Sequence, residues 1–252
     1  MKIDFHVHGK ITSSFPFDTE KFLVAIEEAK TGGLDSIALT EHCHADNFLE
    51  GYEYLNSNYN LIGDYYDVDG FKVFYGMEVT TLQGLDIIII GVPLDIIVLK
   101  ENISEKYNYK EFIDINKLFE LIEKNRYLVI LAHPYRKHEK FPQLSHTIWE
   151  KIDATEFNAT DLYKNGIEEM QEKVLKLAKI NNIPIICGSD THHYIQISSV
   201  KNIFTKDCTT VKEIKEEIKK QNYKKELSSD LKVRVKSAII IKKLTKELRK
   251  SK

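Results

Sequence analysis

Six short apolar runs in this chain end in histidine or a carboxylate. Residues 2–5 lead into His6-Val7-His8, and residues 36–39 into Glu41-His42, with His44 soon after. Residues 72–75 continue through Gly76-Met77 to Glu78, and residues 128–131 through Ala132 to His133-Pro134-Tyr135-Arg136. Residues 152–155 precede Glu156 and Asn158, and residues 184–187 precede Gly188-Ser189-Asp190, with His192 and His193 beyond. A seventh run spans residues 85–90. Each is short, β-branched and bounded by polar residues, so each reads as a strand. Between several of them lie helical patterns. Phe22, Ile26 and Ala29 share a face between a start at Asp18-Thr19 and a stop at Gly32-Gly33, and residues 115–123 and 167–180 repeat that spacing. Strands alternating with helices imply βαβ units and a mostly parallel sheet, and seven strands in 252 residues suggest a barrel. Residues 56–70, polar and rich in tyrosine, read as a surface excursion.

Active sites of parallel α/β sheets and barrels form at the C-terminal ends of strands. Structural histidines would not choose that rim repeatedly. Histidine with carboxylate and without thiolate suits zinc, manganese or iron. In extended backbone the i, i+2 spacing of His6 and His8 points both imidazoles to one side, so one ion could engage both.

Charge and cysteine content narrow the function classes. With 36 basic and 38 acidic residues the chain is not a globally basic nucleic-acid binder. Its three scattered cysteines, Cys43, Cys187 and Cys208, form no C-x-x-C pair and fit a reducing compartment. Met1-Lys2-Ile3-Asp4-Phe5-His6 carries no signal-peptide core, and the longest apolar run, 87–94, is too short for a membrane span. A cytoplasmic location without a membrane partner is the expectation. From Leu231 onward there are nine basic residues and one acidic, leaving 27 basic and 37 acidic residues in 1–230. The chain therefore divides into a main domain, 1–230, and a basic helical tail, 231–252, docked on it through Val235, Ile239, Ile240 and Leu244. A solvated lysine face is favoured over a nucleic-acid contact for that tail.

The segments Asp4-Phe5-His6-Val7-His8, Leu39-Thr40-Glu41-His42, Gly76-Met77-Glu78, Leu131-Ala132-His133-Pro134-Tyr135-Arg136 and Gly188-Ser189-Asp190-Thr191-His192 resemble, in order, the motifs of the PHP (polymerase and histidinol phosphatase) superfamily. The resemblance runs from near residue 1 to about residue 200. It implies a distorted, TIM-like seven-stranded (β/α) barrel with one to three divalent metals at the C-terminal rim. It also implies hydrolysis, usually of phosphate esters, by a water that the metals acidify. By the same resemblance His6, His8, Glu78 and Asp190 hold a first metal. Glu78 bridges to a second, which His133 also binds, and His42 and His192 hold a third. Asp190, Glu78 and His192 form the catalytic set. Two departures leave the metal count open. The loop after His8 has no histidine or aspartate before Asp18, and the strand after Glu78 has no histidine, so His44 or Asp86 is a possible substitute.

Around these residues, Glu41, Glu156 and Asn158 are expected to orient ligands rather than bind metal. Arg136 is one of four arginines in a lysine-rich chain, and guanidinium binds phosphate bidentately. With Lys10 it is the candidate for substrate phosphate, a packing arginine being the alternative. Cys43 reads as a packed thiol. The expected substrate is a small phosphate ester or short nucleotide. The competing readings are an amidohydrolase-like enzyme cleaving C–N or lactone bonds, and a non-catalytic metal-binding module with an incomplete site.

Overall fold

The structure, a computed structural model, describes residues 1–106 and 112–250, so Ser251 and Lys252 of the basic tail lie outside it. In chain order the elements are β1 (Lys2–Val7), α1 (Thr19–Thr31), β2 (Ser36–His42), α2 (Glu50–Asn58), β3 (Asn60–Ile62), β4 (Tyr65–Val68), β5 (Phe71–Thr80), β6 (Asp86–Gly91), α3 (Pro93–Lys106), α4 (Ile115–Leu121), β7 (Leu128–Ala132), α5 (His146–Trp149), β8 (Ala154–Asn158), α6 (Ala159–Asn165), α7 (Ile167–Asn181) and β9 (Ile185–Gly188). A 3₁₀ turn (Tyr194–Gln196), β10 (Val200–Phe204), α8 (Val211–Lys220), β11 (Tyr223–Leu227) and α9 (Leu231–Lys250) complete it.

Seven strands, β1-β2-β5-β6-β7-β8-β9, form a nearly closed barrel-like sheet, and β10 and β11 extend it antiparallel beyond β1. Closure lies between β9 and β1. At the upper end the backbone N–H of Asp190 donates to the His6 carbonyl at 2.8 Å, and that of His8 to the Thr191 carbonyl at 2.8 Å. At the lower end the buried Asn202 side chain bridges the gap, bonding both backbone groups of Cys187 and the Ile3 carbonyl. Within the barrel β6 runs antiparallel to both neighbours. Its first residue, Asp86, therefore stands on the same rim as the ends of the other strands. Residues 56–70 are not an excursion: they include the β3–β4 hairpin, which adds to β5 and buries Tyr65, Tyr66 and Val68. Residues 200–227, with β10, α8 and β11, carry structure that the strand pattern does not announce.

Pleat alternation explains where side chains go. Ile3, Phe5, Ala38, Phe74, Ile88, Ile90, Leu128, Ile130, Ala154 and Ile186 form the apolar cluster inside the barrel. Their neighbours Ile37, Leu39, Val73, Tyr75, Met77, Ile87, Ile89, Val129 and Leu131 face outward into the helix layer. That layer includes α1, whose Phe22, Ile26 and Ala29 are buried and whose first turn is capped by Asp18. Below the barrel, Val211, Ile214 and Ile218 of α8 join the inner cluster.

Followed upward, the inward register turns ionisable. On β5 it reads Phe74, Gly76, Glu78; on β8 Ala154, Glu156, Asn158; on β9 and its extension Ile186, Gly188, Asp190. On β1 a register shift between Asp4 and Val7 changes the phase. Ile3 and Phe5 then face inward as His6 and His8 do, while Val7 packs outside.

The basic helix α9 docks by Leu231, Val235 and Ala238, so of the face read from sequence Val235 is buried and Ile240 and Leu244 are not. Ile239 is half-buried, and Ile240 and Leu244 are exposed. Among the described residues no helix is long and apolar enough to cross a membrane.

Candidate metal centre

His6 and His8 meet head to head. Their Nε2 atoms lie 3.1 Å apart, both rings buried. Their outer nitrogens face carboxylates: His6 Nδ1 is 3.1 Å from Glu156 Oε1, and His8 Nδ1 is 3.4 Å from Glu41 Oε1. Each carboxylate is itself held. Glu156 Oε1 accepts from the His133 backbone N–H at 3.0 Å and from the Asn158 amide at 2.8 Å. Glu41 accepts from the backbone N–H groups of Lys10 and His42. A carboxylate behind Nδ1 fixes the proton there and leaves Nε2 as a lone pair. Two Nε2 atoms that face each other need a proton or a metal ion between them. Gly188 makes the arrangement possible, because a Cβ there would lie 2.1 Å from Glu156 Oε2 and 2.7 Å from His6 Cβ.

Glu78 sits among four imidazoles. Oε1 is 2.8 Å from His133 Nε2 and 3.6 Å from His6 Nε2, and Oε2 is 2.7 Å from His42 Nδ1 and 3.5 Å from His8 Nε2. The His42–Glu78 approach lacks hydrogen-bond geometry, and both atoms are buried without another partner. Asp190 Oδ1 lies 3.3 Å from His8 Nε2, 3.4 Å from His192 Nδ1 and 3.7 Å from His6 Nε2. The His192 ring stacks on His8 with centroids 4.2 Å apart. Asp86 Oδ2 is 3.7 Å from His133 Nδ1 and 3.0 Å from Lys137. Three convergent groups of donors result: His6, His8 and Asp190; Glu78, Asp86 and His133; and His8, His42 and His192. A fourth, His6, His133 and Glu156, has its carboxylate already engaged by N–H donors. The donor set is hard and borderline, with orphaned lone pairs, and it fits one or more divalent ions.

The electrostatics keep the carboxylate ligands ionised, and the same carboxylates raise His6 and His8 against burial, His8 to about 9, so that a metal ion would displace a proton from them. Burial works to raise Asp190, but Arg136 and His6 hold its carboxyl well below the usual range. Glu78 is likewise kept low against burial by His42 and His6. Burial and His8 together push His192 down to about 3, so it is neutral. Backbone strain gathers here too. His133 and Asp190 have φ of +25° and +57°, costing of order 1–3 kcal/mol each for non-glycine residues. At His133 the turned backbone breaks the pleat alternation and brings the ring over the rim beside Glu78.

All seven residues expected to bind metal, His6, His8, His42, Glu78, His133, Asp190 and His192, thus come together. Asp86, reached through the reversed direction of β6, shares a donor group with Glu78 and His133, while His44 stays outside every donor group among the described residues. Glu41, Glu156 and Asn158 sit behind the histidines and Arg136. The two residues expected to bind substrate are employed otherwise. Lys10 is 2 % exposed, and its ammonium donates to the carbonyls of Asp46 and Asn47 at 2.5 and 2.9 Å, with Glu50 at 3.5 Å. It holds the 44–50 loop. Arg136 donates to Asp161 at 2.9 Å, to Asn158 at 2.8 Å and to Asp190 at 2.6 Å. All three of its nitrogens are engaged, so it anchors Asp190 rather than standing free for phosphate. Cys43 is buried, and desolvation pushes its thiol up to about 12, which makes it unreactive. Two residues were missed. Asp161 anchors Arg136. Asp4, fully buried, accepts the N–H groups of His6 and Ser189 and staples β1 to β9; burial raises its carboxyl to about 6. Its place two residues before the H-x-H pair was the available signal.

No family model and no curated protein matches the chain. Solved structures do. The chain is similar to PsfC from Pseudomonas syringae PB-5123, with a TM-score of 0.78 and 17% identity, covering 97% of this chain and 98% of that one. It is similar to the lesion-specific endonuclease EndoQ from Pyrococcus furiosus, with a TM-score of 0.65 and 18% identity over 90% of this chain and 57% of that one. A complex of Endonuclease Q with a 27-mer duplex carrying an abasic lesion gives a TM-score of 0.63 at 17% identity, covering 90% of this chain and 58% of that one. The fold is therefore shared with these proteins.

Proposed function

We propose that this chain is a metal-dependent hydrolase of PHP type, acting on a phosphate monoester or a short nucleotide. The observation that carries the reading is the pair of inward Nε2 atoms of His6 and His8, 3.1 Å apart, each ring backed by a buried carboxylate. Zinc, manganese or iron suits the donors. His6, His8 and Asp190 would hold one ion, and Glu78, with His133 and Asp86, would hold a neighbour. His42 and His192 offer the more exposed position. Divalent ions bound there supply Lewis acidity toward a phosphoryl oxygen and acidify water. Within the chain, Glu156 and Glu41 orient His6 and His8, Arg136 holds Asp190 ionised, and His192 stays neutral at the edge of the cluster.

Endonuclease Q acts on duplex DNA containing a lesion. Here residues 1–230 carry 27 basic and 37 acidic residues, a balance that disfavours a duplex backbone and favours a small substrate. The test is elemental analysis of the purified protein, paired with hydrolysis of an aryl phosphate and of a short single-stranded oligonucleotide, with and without Mn²⁺. Bound metal with metal-dependent release of aryl alcohol is expected. No metal and no turnover with any supplement would overturn the reading, and cleavage of the oligonucleotide alone would replace the small ester by a nucleic acid.

A further inference from the structure

Phosphoryl oxygens turned away from the metal ions call for a side-chain cation, and Lys10 and Arg136 are both engaged by protein groups. The basic C-terminal helix supplies another. Its inner stripe reads Leu231, Val235, Ala238, Lys242, Thr245 and Arg249, at the i, i+4, i+7 spacing of a single helix face. The first three are buried, and Lys242 and Thr245 are half-buried while Lys243, Leu244 and Lys246 are exposed. Where the stripe leaves the core it turns polar.

The ends of α9 are pinned to two segments of the metal centre. Near its start, Arg234 donates to the carbonyls of Ile195 and Ile197 at 3.5 and 3.2 Å, in the segment that follows His192. At its far end, Arg249 donates to the Ser14 carbonyl at 3.2 Å and lies 4.5 Å from the Phe15 ring centre, in the loop that follows His8. Lys242 stands midway, on the face turned toward the protein. The charges that act on it are Asp190, Arg136 and Glu41 from the barrel and Lys246 from its own helix, and it acts in turn on His192. Among the described residues it has no hydrogen-bond or ion-pair partner. Burial lowers its ammonium to about 8, so it remains largely charged at neutral pH.

We propose that Lys242 positions the substrate, receiving the phosphoryl oxygens turned away from the metal ligands and making α9 one wall of the site. This rests on the phosphoesterase reading, which the test separates from it. The full-length protein is compared with K242A and K242R for metal content and aryl-phosphate hydrolysis. K236A, which removes the same charge from the solvent side of the helix, is the control. A charge-assisted hydrogen bond predicts a rise in KM of about 10–100-fold for K242A, partial recovery in K242R, and unchanged metal content. An unchanged KM in K242A, with the wild type active, overturns the assignment and leaves the phosphoesterase reading standing. A second arm needs no turnover. Acetylation of Lys242 by acetic anhydride, followed by peptide mass mapping, should slow in inorganic phosphate while Lys236 is unaffected. With an inactive wild type, protection of Lys242 would keep the anion site and discard the enzyme reading. Equal acetylation rates with and without phosphate would overturn the site.

Discussion

The lower and upper halves of the barrel interior are equally buried and chemically opposite. Below, Ile3, Phe5, Phe74, Ile130 and Ile186 are at most 1 % exposed and bring no polar atom. Above, on the same inward register, His6, His8, Glu78, Asp86, Glu156 and Asp190 are at most 5 % exposed, and all are ionisable. Burial of the first set is favourable through area alone. Burial of the second costs free energy unless every charge is paired. Each is paired here, yet the His42–Glu78 pair remains geometrically poor, and the left-handed residues His133 and Asp190 sit in this half. The lower half therefore carries the fold, and the upper half gives up stability for a ligand.

The largest effect should come from Glu78, which touches four imidazoles. E78Q keeps the shape and removes the charge. Metal content and metal-dependent turnover are expected to fall to background, with a native far-UV spectrum. Retention of both would break the comparison at its strongest point. The matching change below is I130A, in a residue with no accessible surface. It should cost about 2–5 kcal/mol in the denaturant midpoint. Metal per folded chain and KM should stay at wild-type values, and loss of metal from folded I130A would show that the halves are not separable.

E156Q sharpens the comparison within the upper half. The amide can still accept from His133 N–H and can no longer hold the proton of His6 Nδ1 as a charge. Metal affinity should weaken by about 10–100-fold, read by competition with a chelator. E41Q, behind His8 at the longer distance of 3.4 Å, should weaken it less. Equal affinities in wild type and both variants would mean that the carboxylates are structural only.

Much of this was legible in the chain because burial and chemistry coincide there. The apolar runs located the barrel strands, and the residue at which each run failed located the rim. The same logic cut the strands short: β5 continues to Thr80 and β8 to Asn158, since a buried, paired carboxylate remains in the strand although it reads as an interruption. Three things were not legible. The choice of Asp86 over His44 needed the reversed direction of β6, which an apolar run does not encode. Whether Lys10 and Arg136 serve substrate or packing was not legible, because their partners, Asp46, Asn47, Glu50, Asp161 and Asn158, are met only in three dimensions. On α9 two stripes compete. Val233, Ile240, Leu244 and Leu248 are more hydrophobic than the stripe that docks, yet it is the face with Ala238 and Lys242 that turns inward. Close packing and the anchors Arg234 and Arg249 outweigh hydrophobicity there.

The smallest effect concerns an ionisable group at the apolar end. Helix α8 closes the lower barrel, and its first turn is held by Glu213. The Glu213 carboxylate accepts from the Thr209 and Thr210 backbone N–H groups at 2.8 and 3.3 Å and lies 2.8 Å from Lys206, while Thr210 Oγ1 accepts the Glu213 N–H at 3.2 Å. Lys206 first, then Thr209, lower this carboxyl from its ordinary 4.5 to about 2. A carboxyl lowered on folding contributes stability that is present above its unfolded value and is lost as pH falls through the folded one. E213Q should therefore lower the thermal midpoint at pH 7 by the equivalent of about 1 kcal/mol, a capping-sized effect. The gap from wild type should close between pH 4.5 and about 2, and metal binding should be untouched. A gap that stays constant down to the lowest pH at which both proteins unfold cooperatively would assign the cap to geometry alone. A gap accompanied by altered metal affinity would couple the two halves of the barrel through α8, which nothing in their packing requires.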